Sequence, residues 1–256
     1  MAADECLAAE AERIGGLALR LYGWTEPTLS LGGFQPLAAV HRVGELAGVA
    51  VVRRPSGGGA IVHGTDLTYA AAVPKGHRWG GDPQAFYDAL HTAMTGALRQ
   101  HGIVAHRHDG GAGAGADPPF FCFDRRSAGD LVIARASTAV DGVGRGVDGA
   151  ATAGASTRDA KIMGSAQRRL AGAVLQHGTL LLAANPAVAG PARHPGIVEL
   201  CGRPVAAAAL ARDWVARIAR ALDATPDERG GFVTGHEPEI EARAGRFRDM
   251  AWTARR

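Results

Sequence analysis

The sequence predicts an α+β fold. Two patterns point there: β-branched and apolar runs of four to eight residues that read as strands, and longer runs with a 3.6-residue apolar period that read as helices. The two kinds are interleaved without the regular βαβ alternation of a doubly wound sheet. Across 256 residues, 46% hydrophobic and 21% charged content is that of a globular chain able to bury a core. The abundance of glycine (36 residues) and the scarcity of aromatics (5%) reflect composition bias more than function.

The elements follow in order. Residues 2–14 form an amphipathic helix, with Leu7, Ala8 and Ile14 on its period. Leu17–Tyr22 reads as a strand, Gly23–Pro27 as a turn and Thr28–Leu31 as a second strand. Pro36 can start a helix continuing through Val43. The run "VAVVRRPS", 49–56, is a strand that carries Arg53 and Arg54 to its end, and "AIVHGTDLTYAAAVP" is two strands around a turn at Gly64–Asp66. Residues 83–100 make the clearest helix, with Phe86, Leu90, Met94 and Leu98 on one face. A flexible loop, 109–119, leads into "FFCFDRRSAGDLVIA" and another strand. Residues 135–159 are small, polar and aperiodic, a surface insertion or disordered loop. Strand signals return over 161–183 around a turn near Leu170–Gly172, and helices are expected at 205–223 and 236–247. The expectation is one domain over 1–256, with a helical C-terminal part from about 205.

Composition narrows the function. No apolar run reaches the length of a membrane span, and the N-terminus lacks the basic region of a signal peptide, so a cytoplasmic protein is the default expectation. The three cysteines, Cys6, Cys122 and Cys201, form no CxxC, so neither a disulfide scaffold nor a structural zinc is expected, and no metal site is visible. A net charge of +3, dispersed apart from arginine pairs, does not call for nucleic acid; it suits an acidic protein partner.

Four stretches carry candidate chemistry: "YGWTEPTLSLGGFQ", "RRPSGGGAIVHG", "FFCFDRRSAGDLVI" and "KIMGSAQRRLAGAVLQHGTLLL". The run Gly57, Gly58, Gly59 bares backbone to a close neighbour, and Arg53 and Arg54 can hold an anion; a tight turn with a surface arginine pair accounts for the same pattern. Neither the Walker loop nor GxGxxG is present. Lys161, followed by Gly164, Ser165 and Ala166, is either a solvated strand-end lysine or a fixed positive charge beside a developing oxyanion. His177 and Gly178 sit between apolar residues, where a core histidine is the commoner case. Cys122, among Phe120, Phe121 and Phe123, is either a buried apolar thiol or a nucleophile at the mouth of an apolar site.

Together these stretches resemble the lipoate–protein ligase, octanoyltransferase and biotin–protein ligase superfamily. The motifs RRxSGGGxxxH and K(I/V)xGSAxR, then HGTLLL, stand in order as Arg53–His63 and Lys161–Leu182, and 22–35 is similar to the family's first hairpin. The likeness covers residues 1 to about 185. The segment with Cys122 is similar to the CFxxPSxxDLVV segment of octanoyltransferases of the LipM type.

The resemblance implies a class II synthetase and biotin-ligase-like catalytic domain, with a mixed, mainly antiparallel sheet flanked by helices. It implies that Cys122 takes octanoyl from acyl carrier protein as a thioester, with Lys161 stabilising thiolate and oxyanion, and passes it to a lysine of a lipoyl domain or of the glycine-cleavage H protein. Gly57–Gly59, His63 and Ser165 would line the acyl tunnel, and Arg53, Arg54, Ser56, Gly164, Ala166, His177 and Gly178 complete the implied substrate-binding set. No cofactor is implied for a transferase. Three departures stand out: the family's strand before the first helix is not seen, "RRS" replaces proline-serine after the cysteine, and 135–159 lengthens the approach to Lys161. The alternative is an ATP-dependent lipoate–protein ligase using Mg2+, in which Arg53, Arg54 and Lys161 hold an acyl-adenylate and Cys122 is a bystander. A non-catalytic acyl-binding paralogue is the third reading.

Overall fold

Alternation along one strand sets the layers. In the computed structural model, which describes residues 1–43, 46, 48–110, 119–135, 159–228 and 230–255, strand β5 (Asp66–Pro74) is buried on both faces. Leu67, Tyr69, Ala71 and Val73 point into one core, and Ala70 and Ala72 into another. A strand buried on both sides needs a layer on each.

One layer is helix α1 (Ala2–Ile14), whose Leu7, Ala8 and Ala11 pack on Ala70, Ala72, Ala173 and Leu175. Alanines on the sheet let this helix come close. The helix ends at Gly15, in the left-handed conformation at φ 66°. The other layer is α2 (Pro83–Gln100) with α4 (Ala207–Leu222). Asp82 caps α2, accepting from the amides of Gln84 and Ala85, and Pro83 fits the first turn, where no amide is needed. Trp214 of α4 is fully buried; its indole donates to Leu90 O at 2.9 Å and stands edge-on to Tyr69.

The main sheet has six strands in the order β1 (Ala18–Tyr22), β5, β9 (Ala173–Leu181), β8 (Ala160–Arg169), β7 (Leu131–Ile133) and β6 (His106–Arg107), every neighbour antiparallel. β8 and β9 are the hairpin expected around 170–172. A smaller sheet orders β3 (Ala50–Arg53), β2 (Thr28–Leu31) and β4 (Ile61–His63), with β2 parallel to β3 and antiparallel to β4. The α+β class and mainly antiparallel sheet expected from the sequence are present.

Three expectations need correction. Residues 22–35 do not make a hairpin: β1 pairs with β5 and β2 with β3 and β4, so the turn between them crosses from one sheet to the other. The helix expected after Pro36 is a 3-10 helix, Leu37–Arg42. The helices expected at 205–223 and 236–247 are α4 and α6 (Glu237–Arg248), and the C-terminal part adds three short ones that were not expected: α3 (Ile197–Cys201), α5 (Phe232–Gly235) and α7 (Met250–Ala254). The expected loop over 109–119 and insertion over 135–159 fall mostly outside the described residues. No helix among the described residues is long and apolar enough to cross a membrane.

Candidate active site

Cys122 opens a single 3-10 turn, Cys122–Asp124, and its backbone is pinned to the start of β4. The Ala60 amide donates to Phe120 O at 2.8 Å, and the Cys122 amide donates to Ala60 O at 2.9 Å. This pairing explains Gly59. A Cβ there would stand 2.7 Å from Cys122 N and 2.9 Å from its Cα, so only glycine permits the approach. The thiol is half-buried.

Lys161, second in β8, meets Cys122 from the main sheet. Its Nζ lies 3.5 Å from Cys122 Sγ and 3.3 Å from the carbonyl oxygens of Cys122 and Arg125. It is 2.8 Å from Asp130 Oδ2, and both charges are buried. A buried pair is tolerable only when its remaining hydrogen-bonding capacity is met. Here Asp130 also accepts from Tyr87 Oη at 2.9 Å and from the Ser127 amide at 2.6 Å. Burial, then the charge of Asp130, pushes the Tyr87 phenol well above its ordinary range. It therefore stays neutral and donates. Gly164 clears room beneath the ammonium, since a Cβ there would come within 2.7 Å of Lys161 Nζ.

The arginine pair is placed differently from the anion-holding role expected of it. Arg53 is fully buried, donating from Nε to Thr253 O at 2.9 Å and from Nη1 to the carbonyls of Gly32 and Gln35. Arg54 donates to the carbonyls of Ser30, Gly57 and Gly59. Burial pulls its guanidinium down to about 10, against the opposing pull of a charged Cys122. Both cations thus brace the glycine loop from within. Gly58, at φ 93°, leaves room for Arg54 Nη2, which a Cβ would approach to 3.0 Å, and Gly57 faces the Phe34 ring.

The other expected residues fall into three polar clusters. Ser56 Oγ hydrogen-bonds His177 Nε2, and His177 Nδ1 is 3.7 Å from Asp4 Oδ2, while Arg20 Nη1 holds the other oxygen, Oδ1, at 3.0 Å. Burial lowers the His177 pKa. Ser165 Oγ bridges His91 Nε2 at 2.7 Å and Tyr69 Oη at 2.6 Å. Gly178, opposite Ser165 across the hairpin, has no space for a Cβ, which would lie 2.3 Å from that hydroxyl; Ala166 stands opposite His177. His63 stacks on Trp24, with ring centroids 4.3 Å apart, and bonds Asp66 Oδ2 at 2.9 Å.

Two openings adjoin the cysteine turn. A small cavity of about 20 Å³ lies between residues including Ala60, Val62, Leu181 and Phe123. A cleft of about 310 Å³ is bounded by Lys161, Phe123, Asp124, Arg126, Arg135 and His194, among others. Sequence reasoning missed Asp130 and His194. The only signal for the first was an acid directly before an apolar strand. Among the described residues, no group of three or more metal-ligating side chains is assembled.

A family model described as the lipoyl protein ligase A/B catalytic domain matches residues 1–195. Named octanoyltransferase LipM are relatives from Kyrpidia tusciae (31% identical, over 66% of this chain and 55% of theirs), Moorella thermoacetica (29%, 100% and 93%) and Symbiobacterium thermophilum (30%, 88% and 82%). The chain thus spans about half the length of the first of these and most of the other two. Among solved structures, a bi-partite lipoate protein ligase from Thermoplasma acidophilum, studied with its E2 lipoyl domain, aligns at TM-score 0.67 with 17% identity, covering 99% of this chain and 89% of that one. A lipoate-protein ligase A bound with ATP aligns at 0.64 with 18% identity, covering 99% and 92%. At these identities the structural likeness speaks for the fold.

Proposed function

Because the chain belongs to the lipoyl protein ligase A/B catalytic-domain family, we propose that it is an octanoyltransferase working through a Cys122 thioester. The observation that carries this reading is the 3.5 Å contact between Lys161 Nζ and Cys122 Sγ, held by the buried Asp130. The relatives named octanoyltransferase LipM support the same class. The donor is octanoyl-acyl carrier protein. The acceptor is a lysine of a lipoyl domain or of the glycine-cleavage H protein, a choice supported by the lipoyl domain studied with the archaeal neighbour.

The steps follow from the geometry. A nearby cation favours thiolate, and the thiolate is the nucleophile. Sγ adds to the donor's thioester carbon, and negative charge develops on the carbonyl oxygen beside Lys161. A donor fixed in a site largely shielded from water stabilises such charge without reorganising. The intermediate collapses, the acyl–Sγ bond remains, and the carrier thiolate leaves with the proton that Sγ gave up. A neutral lysine amine of the acceptor then adds to the same carbon. The amide forms, the acyl–Sγ bond breaks, and the amine's proton returns to Sγ. Neither step needs nucleotide.

The test sets octanoyl-acyl carrier protein alone against lipoate, ATP and Mg2+, with a lipoyl domain as acceptor. The expected result is acceptor modification in the first mixture and its loss in Cys122→Ser. Modification only in the second mixture, undiminished in Cys122→Ser, would establish the ligase alternative.

A further inference from the structure

The cleft beside the reacting pair carries positive charge that no carboxylate among the described residues neutralises. Arg126 and Arg135 both line it, and Arg135 is exposed. Among the described residues neither pairs with a carboxylate, because the neighbouring acids are already engaged. Asp124 bonds His194 at 3.0 Å, Asp159 bonds His106 at 2.8 Å, and Asp130 is held by Lys161 and Tyr87. Arg126 is anchored through its inner nitrogen, with Nε donating to Asp159 O at 2.7 Å. An anchored guanidinium presents its fork to carboxylates at little further entropic cost.

We propose that this cleft is the acceptor subsite, and that Arg126 and Arg135 select an acceptor segment with carboxylates flanking its target lysine. The inference rests on the octanoyltransferase reading. Distance favours an acidic peptide over an anion at the far end of a donor's thiol arm. Arg126 is fixed at Asp159, two strand positions from Lys161, or about 7 Å at the rise of a strand. A lysine side chain reaches a comparable length from its own backbone. With its amine at the Cys122 thioester, the residues on either side of that lysine fall level with Arg126. Phe123, Ala160 and Pro195 also line the cleft, apolar surface along which a lysine stem can lie.

The test isolates the second half-reaction. The protein is first octanoylated on Cys122, and loss of the acyl group is then followed by intact mass. The probes are two synthetic peptides identical except for Asp or Asn on both sides of a single lysine. Wild type is expected to discharge roughly tenfold to a hundredfold faster to the Asp peptide, the range of one or two charge-assisted bonds. The preference should shrink as salt rises. Arg126→Ala with Arg135→Ala should abolish the preference and leave the rate of Cys122 acylation by octanoyl-acyl carrier protein unchanged. Equal discharge to both peptides, or discharge to neither, overturns the proposal. So does a double variant that slows acylation instead, which would assign the arginines to the donor. Failure of wild type to acylate at all would sink the transferase reading itself and is seen separately, before any peptide is added.

Discussion

Lys161 and Asp130 lie 2.8 Å apart out of water, so neither charge can be removed without stranding the other. Asp130→Asn takes away the counter-charge and keeps one acceptor oxygen, enough for the Ser127 amide, with Nδ2 able to donate to Tyr87 Oη instead. The expected outcome is a fall in kcat for octanoyl transfer of about tenfold to a hundredfold, checked by steady-state kinetics, with the thermal midpoint also lowered. An unchanged kcat would remove Asp130 from the account. Cys122 and Lys161 were legible in the sequence because their chemistry depends on residue type, and the motifs around them are specific. Asp130 was not, since an acid before an apolar strand reads equally as a turn residue. Arg53 and Arg54 were legible as a pair, but not their burial among the carbonyls of their own chain. Whether a guanidinium meets a ligand or its own chain's carbonyls is decided by burial, and burial is a three-dimensional property.

At the scale of elements, the site depends on how closely the cysteine turn lies against β4. Gly59→Ala places a Cβ 2.7 Å from Cys122 N. Relief requires the turn to move away from Ala60, breaking the two backbone bonds that aim the thiol. The expected cost is about 1–3 kcal/mol of stability. Cys122 acylation should fall by more than tenfold, because small misplacements of a nucleophile are expensive. Chemical denaturation and acylation kinetics on the same variant check both. Local pattern recovered most strands and the long helices, because their periods are local. It missed that β1 and β2 belong to different sheets, because pairing partners such as Ala18 with Ala72 lie far apart in sequence. The role of the glycine run was hidden for the same reason: the groups that fill its space, Cys122 and Phe34, come from other segments.

For the whole molecule, buried titratable groups set the response to acid. Burial holds the His91 imidazole at about 4, against 6.5 for an unperturbed histidine, and His177 is shifted the same way. As pH falls from about 6.5 towards 4, the unfolded chain takes up protons that the folded chain refuses. Stability therefore declines over that window, by up to about 1.4 kcal/mol per pH unit for each such group. Despite burial, Asp4 is held down at about 2 by the N-terminal ammonium, His177 and Arg20, and Asp66 is held at about 2 by His63, Thr179 and Thr68. Their contribution is present above about 3.8 and is lost as pH falls further towards 2. Thermal midpoints measured from pH 7.5 to 4.5 should fall, and His91→Gln should flatten the slope. The central claim, however, is that the fold exists to hold one thiol against one ammonium for acyl transfer. Its most direct measurement is the intact mass of the protein after incubation with octanoyl-acyl carrier protein and no ATP, for wild type and Cys122→Ser. The account expects one octanoyl adduct on wild type, released by neutral hydroxylamine, which takes the acyl group as a hydroxamate and frees the thiol, and none on the variant. An unmodified wild type, or an adduct that survives in Cys122→Ser, would contradict it.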